Sequence, residues 1–417
     1  MKKQKNKKNN VPPRTRTGTR SQAGVALLLA VVFTALLSAM VFAFLYEMEV
    51  DAVFSQNQGA DFEARLAANS AAVNGLMVLA EQYATMMESG TPPVDSELDG
   101  SQWHLGVPFE PLNEATMRTS IADEFGKINV NALLLYENGE LTHNEPVINA
   151  LREFFALRSD AAEYDPVDAI IDWLDYDDGD AEEPEGAESE YYLGLESPYA
   201  CKNGPMTCIE ELLLIKGITP ELYFGDAEQE QEPLSEYLTV HGDWQGRVNV
   251  NTAREEVIAA IIAGHTGSQD LAAAQQIYDE ARIAPIDNTS QLQQYLPESR
   301  LDQETGGARR NRIDEQGFGN QGFGDQGILP DNARMNQRQR QQQTTEAMFR
   351  FNSNVFRIYG DGMKEDTQVR VEAYVFREPY DPADIDQEMS RLGSQYEQEF
   401  LDMPRQLFRI LEWKIVQ

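Results

Sequence analysis

Residues 25–46 form an unbroken run without a charged side chain, in which only Thr34 and Ser38 are clearly polar. At 1.5 Å of rise per residue, a helix of this length is about 33 Å long, enough to cross the hydrocarbon core of a bilayer. The segment before it carries Lys2, Lys3, Lys5, Lys7, Lys8, Arg14, Arg16 and Arg20 and no acid. Basic flanks stay on the cytoplasmic side, so everything after Tyr46 is expected across the membrane. A secretory signal peptide fits poorly, because its apolar region runs to only about 7–15 residues and small residues follow it. Here the glycine, Gly24, precedes the apolar run.

That placement resembles the class III signal of type IV pilins and type II secretion pseudopilins. The resemblance implies cleavage by a prepilin peptidase between Gly24 and Val25, methylation of the new amino terminus, and retention of the apolar helix. Most members carry a glutamate at the fifth mature position, and this chain has Leu29 there. In those families the carboxylate pairs with the terminal amine of the preceding subunit. A carboxylate in a bilayer is costly without a partner. Leu29 therefore suits a subunit that has no predecessor.

The apolar helix is expected to continue. Phe62, Leu66, Val73, Leu76, Ala80 and Tyr83 recur at mostly three- to four-residue steps and predict one buried face through about Met87. Gly90-Thr91-Pro92-Pro93 then stops the helix, and the strand-like material that follows favours a globular head over a coiled-coil stalk.

The chain carries a net charge of −35, and is more negative still without its basic leader. So acidic a chain argues against nucleic acid, which needs clustered Lys and Arg. It is compatible with divalent cations and a soluble extracytoplasmic body. The two cysteines are Cys201 and Cys208. A periplasmic body favours a disulfide between them over two free thiols. Together with scattered His104, His143, His241 and His265 they offer no zinc ligand set.

Gly126-Lys127-Ile128-Asn129-Val130-Asn131-Ala132 and Gly246-Arg247-Val248-Asn249-Val250-Asn251-Thr252-Ala253 look like repeats of one another. Each alternates like a half-buried strand and then meets a helix start. Thr252 with Glu255 predicts a capping box, and Asn131 a cap for the helix opening at Ala132. Between the repeats the chain reads as mostly helical, with starts at Asp165-Pro166 and Thr219-Pro220. Residues 209–224 resemble a helix-hairpin-helix unit, but Glu210, Glu211 and Glu221 inside it point to packing or protein contact rather than DNA.

The densest chemistry runs from Asp172 through Tyr192. Hard oxygen ligands crowd this loop, and calcium accepts six to eight of them in flexible geometry. Asp175, Asp177, Asp178, Glu182 and Glu188 are the candidate ligands, by density and without an EF-hand register. A solvated acidic loop is the alternative. No nucleophile, cleft or cofactor signature accompanies the carboxylates, so no catalytic residue is assigned and no enzyme activity is expected.

The order of parts is distinctive: the class III leader without its glutamate, Asp123-Glu124-Phe125-Gly126-Lys127-Ile128-Asn129-Val130-Asn131, Asp172-Trp173-Leu174-Asp175, Gly186-Ala187-Glu188 before Tyr191-Tyr192, Tyr199-x-x-Lys202-Asn203-Gly204-Pro205, Glu210-Glu211-Leu212-Leu213-Leu214-Ile215-Lys216-Gly217, and the second repeat. Over most of its length the chain resembles the type II secretion system protein K family of minor pseudopilins. The resemblance implies an α+β fold: a pilin-like long N-terminal helix packed on an antiparallel sheet, with a large inserted, mostly α-helical domain holding a calcium loop. It implies leader 1–24, membrane part 25–46, spine and first part of the head 47–131, insert 132–245, and the rest of the head 246–417. Implied partners are other minor pseudopilins in a tip complex, the major pseudopilin, the prepilin peptidase and the inner-membrane assembly platform. The expected location is the inner membrane, spanned once, with the head in the periplasm. A minor pilin of a type IV pilus is the alternative.

Residues 306–345 are rich in Gln, Asn, Arg and Gly and cannot bury a core. Residues 355–359, 368–376 and 407–416 read as strands that complete the sheet, with an acidic excursion at 380–399.

Overall fold

A computed structural model describes residues 20–89, 94–98, 102–137, 140–158, 165–176, 183–226, 231–296, 342–378 and 408–416. The chain divides into two compact units, residues 1–62 and 63–417. One continuous helix, Arg20–Ser89, supplies the described part of the first unit and opens the second. Its amino-terminal part is long and apolar enough to cross a membrane, and its large apolar side chains from Val25 to Phe54 are exposed.

In the second unit the helix lies on a five-stranded antiparallel sheet, in the order Val107–Leu112, Ala115–Asp123, Val355–Lys364, Thr367–Arg377, Phe408–Val416. The three carboxy-terminal strands fall where the alternation of apolar residues puts them. The buried helix face does not. Ala64, Ala68 and Ala72 are fully buried, whereas Phe62, Leu66 and Val73 are exposed; Leu76 and Ala80 are partly buried, and Tyr83 is buried. The reason is how closely the helix approaches the sheet. A Cβ on Gly360 would meet the Ala68 carbonyl oxygen at 2.2 Å, and one on Gly362 the Ala64 oxygen at 2.0 Å. Backbone meets backbone there, so only alanine fits on the facing side of the helix.

The insert is built around the two related segments. Ile128–Asn129 pairs in parallel with Leu238–Thr239, and Val248–Asn249 with Phe349–Arg350. In both, the first asparagine folds back on its own chain: Asn131 N–H donates to Asn129 Oδ1 at 3.1 Å, and Asn251 N–H to Asn249 Oδ1 at 3.2 Å. The second asparagine in each clasps a distant peptide. Asn131 Nδ2 donates to the Met206 carbonyl while its Oδ1 accepts from Met206 N–H; Asn251 does the same with Ile286. All four side chains are buried, so these bonds satisfy groups that water does not reach.

Two local expectations are corrected. The short 3-10 helix Val130–Leu133 is capped by Asn129, not Asn131. The helix Glu255–Thr266 starts at Arg254 without a side-chain cap, because Thr252 Oγ1 donates to Asp123 Oδ2 at 2.6 Å instead. The helix that follows the first segment, Glu145–Arg158, packs on Glu255–Thr266. Gly264 makes this possible, since a Cβ there would lie 2.3 Å from the Pro146 oxygen. One apolar cluster consequently runs past residue 245 to Leu292 and takes in Met348 and Phe349. The two asparagine segments share one core, and a boundary at 245 divides it.

The predicted loop 306–345 lies largely outside the described residues, and the excursion at 380–399 wholly so.

Candidate metal centre

The helix Val167–Leu174 brings Asp168 and Asp172 one turn apart. Asp168 accepts from Arg152 Nη2 at 2.5 Å and from Glu185 N–H at 3.2 Å. Asp172 is fully buried and gathers the returning loop: Oδ1 accepts from Glu183 N–H at 3.1 Å, Oδ2 from Ala187 N–H at 2.7 Å. Lys216 Nζ donates to the carbonyls of Glu185 and Gly186 from the far side. The loop is thereby pinned from both ends, and Glu188 enters at the N-cap of the helix Ser189–Leu193.

Carboxylate oxygens of Asp172, Asp175 and Glu188 all lie within 4.8 Å of one another. Asp172 and Glu188 are buried and Asp175 is half-buried. Like charges this close, shielded from water, repel strongly, and a divalent cation among them relieves that repulsion. Trp173, Tyr192 and Tyr199 pack on one another, with Trp173 and Tyr192 rings 5.3 Å apart at 80°.

Cys201 lies beside the cluster. Its Sγ–H donates to the Asp172 carbonyl at 3.6 Å. Burial first, and then the negative charges of Glu188 and Asp175, push its thiol up to about 11. Its sulfur is not among the clustered ligand atoms. The remaining donors are hard oxygens, the set that calcium or magnesium prefers.

Of the predicted ligands, Asp175 and Glu188 come together; Asp177, Asp178 and Glu182 lie outside the described residues. Asp172 was missing from the predicted set. Its spacing to Asp175, with Asp168 one turn earlier, was the available signal, but a residue inside a helix does not read as part of a loop site. The expected Cys201–Cys208 bridge is not formed in this structure, where both cysteines are free. Cys201 is engaged with Asp172, whereas Cys208 caps the 3-10 helix Ile209–Leu214, its N–H donating to Glu211 Oε1 at 3.4 Å. Gly24, Val25 and Leu29 lie on the first turns of the apolar helix, and Leu29 is exposed there.

Residues 126–224, which include the three carboxylates, match the family model of type II secretion system protein K. Type II secretion system protein K of Aeromonas hydrophila is 26% identical over 172 residues, 39% of this chain and 49% of that protein. The chain thus spans about half the length of that curated relative. A crystal structure of the GspK–GspI–GspJ complex from the type 2 secretion system of enterotoxigenic Escherichia coli contains a similar fold. The TM-score is 0.55 at 16% identity, covering 87% of this chain and 99% of that one.

Proposed function

We propose that this chain, which belongs to the type II secretion system protein K family, is a minor pseudopilin that starts the pseudopilus and ends at its tip. The observation that carries the reading is one arrangement: an apolar N-terminal helix continuing onto an antiparallel sheet, with the family's matched domain inserted between sheet strands. A body of that size hanging from the sheet would clash with neighbours along a helical fibre, but has room at an end.

The mechanism is assembly, not catalysis. Gly24 and Val25 bracket the processing site, and the freed helix stays in the inner membrane with the head in the periplasm. Leu29 leaves the helix end uncharged, so the subunit needs no predecessor. Its partners are sister minor pseudopilins, in the way that GspK is found with GspI and GspJ, followed by the major pseudopilin on the assembly platform. Calcium, held by Asp172, Asp175 and Glu188, would neutralise their charge and stiffen the insert.

Clean deletion tests the reading. Export of secreted proteins across the outer membrane should stop and return on complementation. Normal export without this protein would exclude an initiating role.

A further inference from the structure

The two edges of the five-stranded sheet are built differently. The edge strand Val107–Leu112 contains Pro108 and Pro111, and its pairing is broken by a shift between Val107 and Glu110. Prolines and bulges are the usual devices that stop a strand edge from pairing with another chain. The opposite edge, Phe408–Val416, has no proline and runs for nine residues. One irregularity, at Leu411, interrupts its pairing with Thr367–Arg377.

That edge is also apolar. Ile410 and Ile415 are 51% and 43% exposed, and they pair across the sheet with Val375 and Val371, which are buried under the helix. The sheet's inner apolar face therefore continues past the helix onto the edge strand. Lysines on edges ordinarily guard them. Lys414 does not do so here, because its ammonium is turned inward to Glu210 at 2.7 Å and Glu372 at 3.4 Å. Arg409 is exposed, with its guanidinium 4.9 Å from the Phe376 ring centre, and among the described residues no carboxylate pairs with it. In a chain of net charge −35, an arginine without a carboxylate partner among the described residues, on a strand that no described strand covers, marks where an acid is complementary.

We infer that the outer edge of Phe408–Val416 receives an extended, acidic segment of a sister subunit, added to the sheet as a further strand. Main-chain hydrogen bonds supply the register. Apolar side chains of the incoming strand cover Ile410 and Ile415, and a carboxylate meets Arg409. The identity of the partner as a sister subunit rests on the tip-subunit reading above.

The test uses the full-length protein co-expressed in membranes with its sister minor pseudopilins. A photo-crosslinking residue is placed at Leu411, and at Phe109 on the proline-bearing edge as control. The Leu411 probe should yield an adduct with a sister subunit about tenfold stronger than the Phe109 probe. Ile410→Lys with Ile415→Lys, both at exposed positions, should cut recovery of that subunit by about tenfold while the melting temperature is unchanged. Sister subunits that still co-purify with this variant at wild-type yield would overturn the inference. So would a Leu411 adduct confined to this chain or to a second copy. Absence of sister subunits from the wild-type purification would instead overturn the tip-subunit reading.

Discussion

Gly186 and Asp172 approach so closely that a Cβ on the glycine would lie 1.7 Å from Asp172 Oδ2. The same carboxylate oxygen accepts from Ala187 N–H, so the loop cannot back away without losing that bond. Gly186→Ala should therefore displace the clustered carboxylate of Asp172. We expect a loss of about 1–3 kcal/mol in stability, as for other overpacked interior sites. The response of the melting temperature to calcium should shrink with it. Thermal melts with and without millimolar calcium check both.

Asp175→Asn separates charge from packing, whereas both oxygens of Asp172 accept backbone N–H groups that an amide nitrogen could not. The amide keeps the shape but removes one of three negative charges that lie within 4.8 Å. Without calcium the variant should melt at or above the wild type, because the repulsion is relieved. With calcium the order should reverse, since a cation at a hundred times its dissociation constant adds about 2.7 kcal/mol to a protein that binds it. A wild type whose melting temperature ignores both calcium and chelator would leave the cluster as an acidic patch only.

Gly362 tests the helix–sheet contact. Alanine there would push against the Ala64 backbone, which has no rotamer to yield. We expect Gly362→Ala to cost more than about 2 kcal/mol, at the upper end of single substitutions. Gly24→Ala, at a position with open space around it, should leave the melting temperature unchanged. Chemical denaturation of the purified protein in detergent distinguishes the two.

Asp123 and Glu124 are adjacent, buried and opposed in their pH behaviour. Burial, opposed by bonds from Ser353 and Thr252, pushes Asp123 up to about 6. Burial also opposes ionisation of Glu124, but Lys127 and Arg357 outweigh it and hold that carboxyl down at about 2. A raised carboxyl makes the folded state bind the extra proton. Its stabilisation is complete below the unfolded value of 3.8 and is lost as pH rises through about 6. A depressed carboxyl stabilises above 4.5 and loses that as pH falls towards 2. Stability should thus rise from pH 7 to pH 5 and fall below pH 4. Asp123→Asn should flatten the upper slope and leave the acid limb in place, as urea midpoints across pH would report.

The sheet and spine were legible because they follow simple periods. Residues 355–359 and 368–376 alternate, and the helix carries no proline up to residue 91. Which helix face is buried was not legible, because hydrophobicity favours Leu66 and Val73 while the approach of Gly360 and Gly362 demands Ala64 and Ala68. That demand comes from a strand nearly three hundred positions away. The carboxylate cluster was half legible for a related reason. Asp175 and Glu188 stand out in an acidic stretch, but Asp172 joins them only once the helix end and the returning loop are folded together.

Leu29 carries the last prediction. If the chain is cut after Gly24 as proposed, a glutamate there would be its fifth residue, inside the apolar run. An acidic group inside a membrane helix is costly unless a cation meets it. A subunit that joins an existing fibre finds that cation in the amino terminus of its predecessor. A subunit that starts the fibre does not. Leu29→Glu should leave cleavage after Gly24 intact, since the residues flanking the cut are unchanged, yet lower pseudopilus initiation and export by about tenfold or more. The mass of the mature amino-terminal peptide checks the first part, and export of a secreted enzyme the second. Export at the wild-type rate with the glutamate in place would mean that another subunit supplies an amine, and that this chain does not come first.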